Sequence, residues 1–166
     1  MVGEGKCRDI NRSPQILEIG KGEILRDGGE VAIVAYGSMV HPALQAAQNL
    51  AKEKIETTVV NARFVKPLDA QLLLALAQTK RLIVTVEEAY LAGGFGSAVL
   101  ELLEENGLQD KVRVVRMGIP DRLVAHGDPK LLLAKYGLDA DGIYTRVKES
   151  IDVLDDRRAK LQKVGR

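Results

Sequence analysis

The stretch VAIVAY, residues 31–36, is short and almost wholly apolar. A strand covered by helices on both sides reads this way, because neither face of its pleat meets water. The period then changes. From Met39 to Lys52, Leu44, Ala47, Leu50 and Ala51 fall on one helical stripe, with Pro42 tolerated in the first turn. TTVVN at 57–61 is rich in β-branched residues and predicts the next strand. Asp69 is placed to cap a helix whose inner side carries Leu72, Leu73 and Leu76. RLIVTV at 81–86 is a third core strand. Phe95 to Asn106 reads as helix, with Val99, Leu102 and Leu103 inward and Gly107 placed to end it. VRVVRM at 112–117 is a fourth strand. Asp128-Pro129 joins an N-cap to a proline at the first helical position, and Gly137 closes that short helix. A longer helix begins near Asp139, with Ile143, Val147, Ile151 and Leu154 on its buried side.

Strands alternating with helices imply parallel strands joined by right-handed crossovers, with helices on both faces. The expected fold class is α/β, a three-layer α/β/α sandwich. Residues 16–25 are extended, interrupted by Gly20 and Gly22 and ended by the turn Asp27-Gly28-Gly29. They stand outside the alternation and are placed to pair antiparallel at an edge, which makes the sheet mixed, mostly parallel and five-stranded. Residues 1–15 mix Gly, charge, Asn and Pro without a period and read as a tail or linker. The domain proper is expected at 16–154, followed by a charged, Arg/Lys-rich extension at 155–166.

A chain of 166 residues suits one core, and 46% hydrophobic with 28% charged residues is the balance of a folded protein. A net charge of +1 gives no electrostatic case for nucleic acid. Cys7 is the single cysteine, so no internal disulfide forms. No apolar run approaches the roughly 20 residues that span a bilayer, and MVGEGKCRDINRSPQ has no apolar signal core. The expected location is the cytoplasm, with no membrane partner.

Four places carry candidate chemistry. Gly93-Gly94-Phe95-Gly96-Ser97 lies between a strand and its helix, where free amides and the helix dipole favour an anion. It is neither a dinucleotide fingerprint nor a P-loop, and a tight turn explains its glycines equally well. Glu87 and Glu88 follow the third strand, at the carboxyl ends where open α/β sheets bind ligands. Adjacent residues of an extended chain point in opposite directions, so the two cannot share a proton; contact with another domain or subunit is the economical reading. The loop PDRLVAHG at 120–127 holds Asp121 and His126, one of only two histidines, with no matched partner for catalysis. Arg63 either binds an anion through its planar fork or fixes its own loop by an ion pair. Ser38 and His41 are close, but no nucleophile elbow surrounds the serine. Asp139-Ala140-Asp141-Gly142 lacks the other ligands of a calcium loop, and the histidines and cysteine are too few and too far apart for zinc.

Five segments occur in a recognisable order: LEIGKG at 17–22, VAIVAYGSMV at 31–40, ARFVKPLD at 62–69, VTVEEAYLAGGFGS at 84–97 and GIPDRLVAHGDP at 118–129. Together they resemble the C-terminal domain of the 1-deoxy-D-xylulose-5-phosphate synthases from about residue 16 to residue 154. The wider class is the C-terminal domain shared with transketolases and 2-oxoacid dehydrogenase beta subunits. The resemblance implies a homodimeric, cytoplasmic transferase using thiamine diphosphate and Mg²⁺. That enzyme joins pyruvate to glyceraldehyde 3-phosphate with loss of CO₂, at the start of an isoprenoid route that also feeds thiamine biosynthesis. The family's Gly-Asp-Gly diphosphate signature and its Tyr-Pro-Arg-Gly segment are not in this sequence. The chain alone is therefore expected to hold no cofactor and to catalyse nothing. Its partners would be the missing N-terminal and central domains and a second subunit, met through Arg63, Glu87, Glu88, Gly93, Gly94, Asp121 and His126. Two alternatives stand beside this: an independent nucleotide or phosphorylated-ligand module, and the same domain from a transketolase or a 2-oxoacid dehydrogenase beta subunit.

Overall fold

The computed structural model describes residues 16–164, with side chains as far as Lys160. The expected tail at 1–15, with Cys7, lies outside the described residues. Elements in chain order are β1 (Glu23–Arg26), β2 (Val31–Ala35), α1 (Val40–Lys52), β3 (Thr57–Asn61), α2 (Ala70–Thr79), β4 (Leu82–Tyr90), α3 (Phe95–Glu105), β5 (Arg113–Ile119), α4 (Pro129–Lys135) and α5 (Ala140–Val164).

Every residue of β2 is buried, because it sits at the centre of a five-stranded sheet ordered β1-β3-β2-β4-β5. Val31 stands beside Thr57 on one side and Leu82 on the other, both parallel. Alternation of side chains sends Ile33, Val59 and Val84 to one face, where they meet Met39, Ala43, Ala47 and Leu50 of the α1 region and Ile143 and Val147 of α5. Ala32, Val34, Val60 and Ile83 take the other face, against Leu73, Leu76 and Ala77 of α2 and Phe95, Val99 and Leu103 of α3. Burying each larger aliphatic side chain contributes about 1.5–3 kcal/mol, so the two layers supply most of the driving force. The three-layer α/β/α sandwich with one antiparallel edge strand is present as expected.

Local signals act where the sequence places them. The Asp69 carboxylate accepts from the Leu72 amide and caps α2, and Asp128 accepts from the Lys130 and Leu131 amides ahead of Pro129. Gly107 and Gly137 follow their helices at φ 65° and 69°. Asp139 accepts from Gly142 at 2.8 Å, so the Asp-Ala-Asp-Gly run starts a helix.

Several details differ from expectation. The segment at 16–25 is strand only from Glu23, paired antiparallel with β3. A 3₁₀ turn at Gly37–Met39 precedes α1. Leu72 and Leu102 are half-buried at the margin of the core. The third core strand does not stop at Val86: β4 runs to Tyr90, which pairs with Ile119 across a register shift. Glu87 and Glu88 therefore lie inside the strand. α5 continues as helix to Val164, exposed from Asp155 to Lys160.

The connections place the site. After β2 the chain turns to α1 and then to β3 on one side; after β4 it turns to α3 and then to β5 on the other. The carboxyl ends of β2 and β4 are thus the switch point at which doubly wound sheets open a binding crevice.

Candidate functional site

Tyr36, Gly37 and Ser38 leave the end of β2 at this switch point, and Glu87 and Glu88 occupy the neighbouring part of β4. Glu87 is only 1% exposed. Its Oε2 accepts from the Phe95 amide at 2.7 Å and its Oε1 from the Gly96 amide at 2.8 Å. A buried carboxylate needs such compensation, and the first amides of a helix need an acceptor; each satisfies the other. Glu88 points to the other face, is exposed, and accepts from the Ser38 hydroxyl.

The glycines around Glu87 make room for it. A Cβ on Gly94 would run into the Glu87 carboxylate and the Tyr90 carbonyl. One on Gly96 would stand 2.6 Å from Thr85 Oγ1, and one on Gly118 would stand 2.9 Å from the Ala89 carbonyl. Gly93 serves the turn differently: its φ of +70° is the left-handed region, and open space surrounds the missing Cβ. A small belt closes the turn, with Arg116 Nη1 donating at 2.8 Å to both the Leu91 carbonyl and Ser97 Oγ, while Ser97 Oγ donates to the same carbonyl at 2.7 Å. Tyr36 stacks on Phe95 at 5.9 Å and ties the β2 end to α3.

The remaining candidates are not gathered here. The Arg63 guanidinium pairs with Glu23, and its backbone has φ +56°, steadied by its amide donating to Asn61 Oδ1 at 3.1 Å. The ion pair joins β1 to the loop after β3. Asp121 and His126 are exposed in the loop after β5, with no hydrogen bond or ion pair among the described residues. That loop is held through Arg122, whose guanidinium lies 5.4 Å from the centre of the Tyr136 ring. Among the described residues no three His, Cys, Asp or Glu side chains converge in the manner of a metal site. Among the described residues no helix is long and apolar enough to cross a membrane.

Sequence reasoning did not foresee the inward role of Glu87, Arg116 and Gly118 around its turn, or Ser38 as the partner of Glu88. Two signals could have found the cap: a glutamate eight residues before the helix start at Phe95, and a Gly-Gly-Phe-Gly turn between them. The consequence is chemical. The amides of a Gly-rich turn that would cradle a phosphate are already occupied by a carboxylate, and a second anion there would meet like charge at hydrogen-bond range. The residues of this turn do not fit a diphosphate.

This sheet order, with its antiparallel edge strand, is that of a transketolase-type C-terminal domain, and the chain belongs to that family: the model described as "Transketolase, C-terminal domain" matches residues 20–143. Its relatives are more particular. Proteins named 1-deoxy-D-xylulose-5-phosphate synthase from Synechococcus sp. and Geobacter metallireducens are 54% and 53% identical over 86% and 88% of the chain. The chain spans only 22% and 23% of those proteins, so it is similar to one part of them. A solved structure described as "Split gene transketolase, inactive beta4 tetramer" superposes with a TM-score of 0.75 at 40% identity, covering 83% of this chain and 45% of that one. A transketolase mutant from Pichia stipitis gives a TM-score of 0.60 at 18% identity, over 81% of this chain and 18% of that one, a likeness of fold alone.

Proposed function

We propose that this chain serves as the C-terminal structural and dimer-supporting domain of a cytoplasmic 1-deoxy-D-xylulose-5-phosphate synthase. That enzyme condenses pyruvate with glyceraldehyde 3-phosphate using thiamine diphosphate and Mg²⁺. The observation that carries the reading is the closed switch point. Where a ligand-binding α/β domain keeps free amides, this one holds the Glu87 carboxylate against Phe95 and Gly96. Identity of 54% to a synthase over most of the chain supports the parentage. The cofactor, its metal and the substrates then belong to the larger part of the enzyme, and the isolated chain turns over nothing.

The contacts with that larger part fall to the exposed carboxyl edge of the sheet: Glu88, Gly93, Asp121 and His126 all follow or end parallel strands and face solvent. Glu87 and Gly94 support this edge from beneath, and Arg63 does so through its ion pair with Glu23. The same occupied turn weighs against an independent nucleotide or phosphorylated-ligand module. Charge reversal at Glu88 or Asp121, built into the full-length synthase, should weaken dimerisation or turnover while leaving each domain folded. Unchanged assembly and unchanged turnover in both variants would reject this role for the edge.

A further inference from the structure

Strand β5 forms one margin of the sheet and, among the described residues, pairs only with β4. Its odd-numbered residues face β4: the Arg113 amide donates to the Arg81 carbonyl at 3.1 Å, and the Ile119 carbonyl accepts from Leu91 at 2.9 Å. N–H and C=O of one residue point the same way in a parallel strand, so Val114 and Arg116 turn theirs outward. No further strand faces either outward pair among the described residues. Exposed strand edges of this kind template the addition of another strand unless they are blocked. No proline or bulge on β5 blocks this one.

Two open cavities, of about 540 and 570 Å³, adjoin this margin and share Arg113 and Val114 in their walls. Leu100 and Val153 give the walls apolar surface at 39% and 41% exposure. The lining is richer in cations than in acids. Among the described residues that line the two cavities, Glu149 pairs with Arg146 at 3.6 Å and Arg81 with Asp155 outside them, which leaves Lys111, Arg113 and Arg157 with Asp110 as the remaining lining acid. Arg113 has no acid partner among the described residues, and its Nε is buried without an acceptor. The opposite margin is neutralised: beside β1, Arg26 pairs with Glu56 at 2.5 Å and Arg63 with Glu23.

We propose that the outer margin of β5 is a docking surface for an extended, acidic polypeptide segment, added to the sheet as a further strand. The outward N–H and C=O groups of Val114 and Arg116 supply the ladder. Arg113, with Lys111 and Arg157 nearby, selects carboxylates in the incoming strand. A second copy of the chain would bring the same cations against themselves, which disfavours self-pairing. This surface is separate from the carboxyl edge assigned to domain contact and does not depend on that reading.

The probe is an N-acetylated Glu-Val-Thr-Val-Glu-Val-Glu heptapeptide, added to the 166-residue chain and followed by amide hydrogen exchange and by calorimetry. Exchange at the Val114 and Arg116 amides should slow by about tenfold or more at saturation, while Arg113 and Val115, already facing β4, change little. Arg113→Glu should weaken binding by about tenfold, the loss of one charge-assisted contact, and a peptide with lysine in place of glutamate should not bind. If circular dichroism shows Arg113→Glu unfolded, Arg157→Glu, on an exposed turn of α5, reads the same charge dependence. No saturable heat, unchanged exchange at Val114 and Arg116, or equal binding of the lysine peptide would overturn the proposal. So would protection of these amides by self-association without peptide, or displacement of the peptide by a single-stranded oligonucleotide.

Discussion

Glu87 and Glu88 are consecutive in β4, yet their carboxylates hold opposite layers of the domain. Glu87 takes the Phe95 and Gly96 amides that begin α3, and Glu88 takes the Ser38 hydroxyl in the turn that begins α1. Side chains alternate across a strand, so two neighbours can reach two faces. The end of β4 is thereby fastened to the helix layers on both sides, at the place where a ligand crevice would otherwise open. Removing the buried carboxylate should be costly. Glu87→Ala leaves two helix-start amides without their acceptor, and we expect a loss of about 2–4 kcal/mol in chemical denaturation. Sulfate should restore part of it, by occupying the vacated anion position, beyond the general stabilisation sulfate gives the wild type. A loss below about 0.5 kcal/mol would mean that the cap is dispensable.

Two adjacent glycines separate backbone freedom from space. Gly93→Ala meets no atom but must hold φ near +70°, a cost of about 1–2 kcal/mol. Gly94→Ala has an ordinary backbone but drives its methyl into the Glu87 carboxylate and the Tyr90 carbonyl. The second variant should lose more stability and also disturb the α3 cap, seen as faster exchange at the Phe95 and Gly96 amides. Equal losses with unchanged exchange would contradict this geometry.

Asp69 fastens two segments at once: Oδ1 accepts from the Leu72 amide at 3.1 Å and Oδ2 from the Gly22 amide at 3.0 Å. Asp69→Ala should cost about 1–2 kcal/mol through the lost α2 cap and also loosen the approach to β1. Asp69→Asn, which keeps one acceptor oxygen, should recover part of the loss. Full stability of the alanine variant in thermal unfolding would remove Asp69 from this role.

The pair Glu53 and Lys148 joins the end of α1 to α5. Hydrogen bonds from Lys148, then Tyr144, hold the Glu53 carboxyl below its ordinary value; bonds to Glu53, then Tyr144, raise Lys148. The Glu53 contribution is present above the unfolded carboxylate value and is lost as pH falls through the lower folded value. The Lys148 contribution is present below the unfolded lysine value and is lost as pH rises through the higher folded one. Between these limits the pair stabilises, modestly, because both groups are solvated. Melting temperatures of Glu53→Gln and wild type should converge at acid pH and in about 1 M salt. A gap that persists under both conditions would show that the pair does not act through charge.

Legibility in the sequence followed the range of the interactions. Thr57–Asn61 has the bounds that its β-branched run suggests, and Asp69, Asp128, Gly107 and Gly137 act within one helical turn of their own positions. The last part of β4 is hidden because Glu-Glu-Ala-Tyr has no apolar period; it is strand because Tyr90 pairs with Ile119, 29 positions away, past a register shift between Val86 and Tyr90. The opposed directions of Glu87 and Glu88 were readable from strand geometry alone. Their targets were not, since a carboxylate eight residues from the α3 start and another fifty residues from Ser38 find partners only once the layers are packed. The sequence admits two roles for Arg63, and the ion pair with Glu23 in β1 decides where its guanidinium goes.

Titration of the purified chain with thiamine diphosphate and Mg²⁺ in a calorimeter bears most directly on the whole picture. With Glu87 seated on the α3 amides and the metal-binding part of the parent enzyme elsewhere, no saturable heat should develop at millimolar cofactor. Stoichiometric binding in the micromolar range, carried by the folded chain alone, would show that this domain houses a coenzyme site and that the capped turn is not its limit.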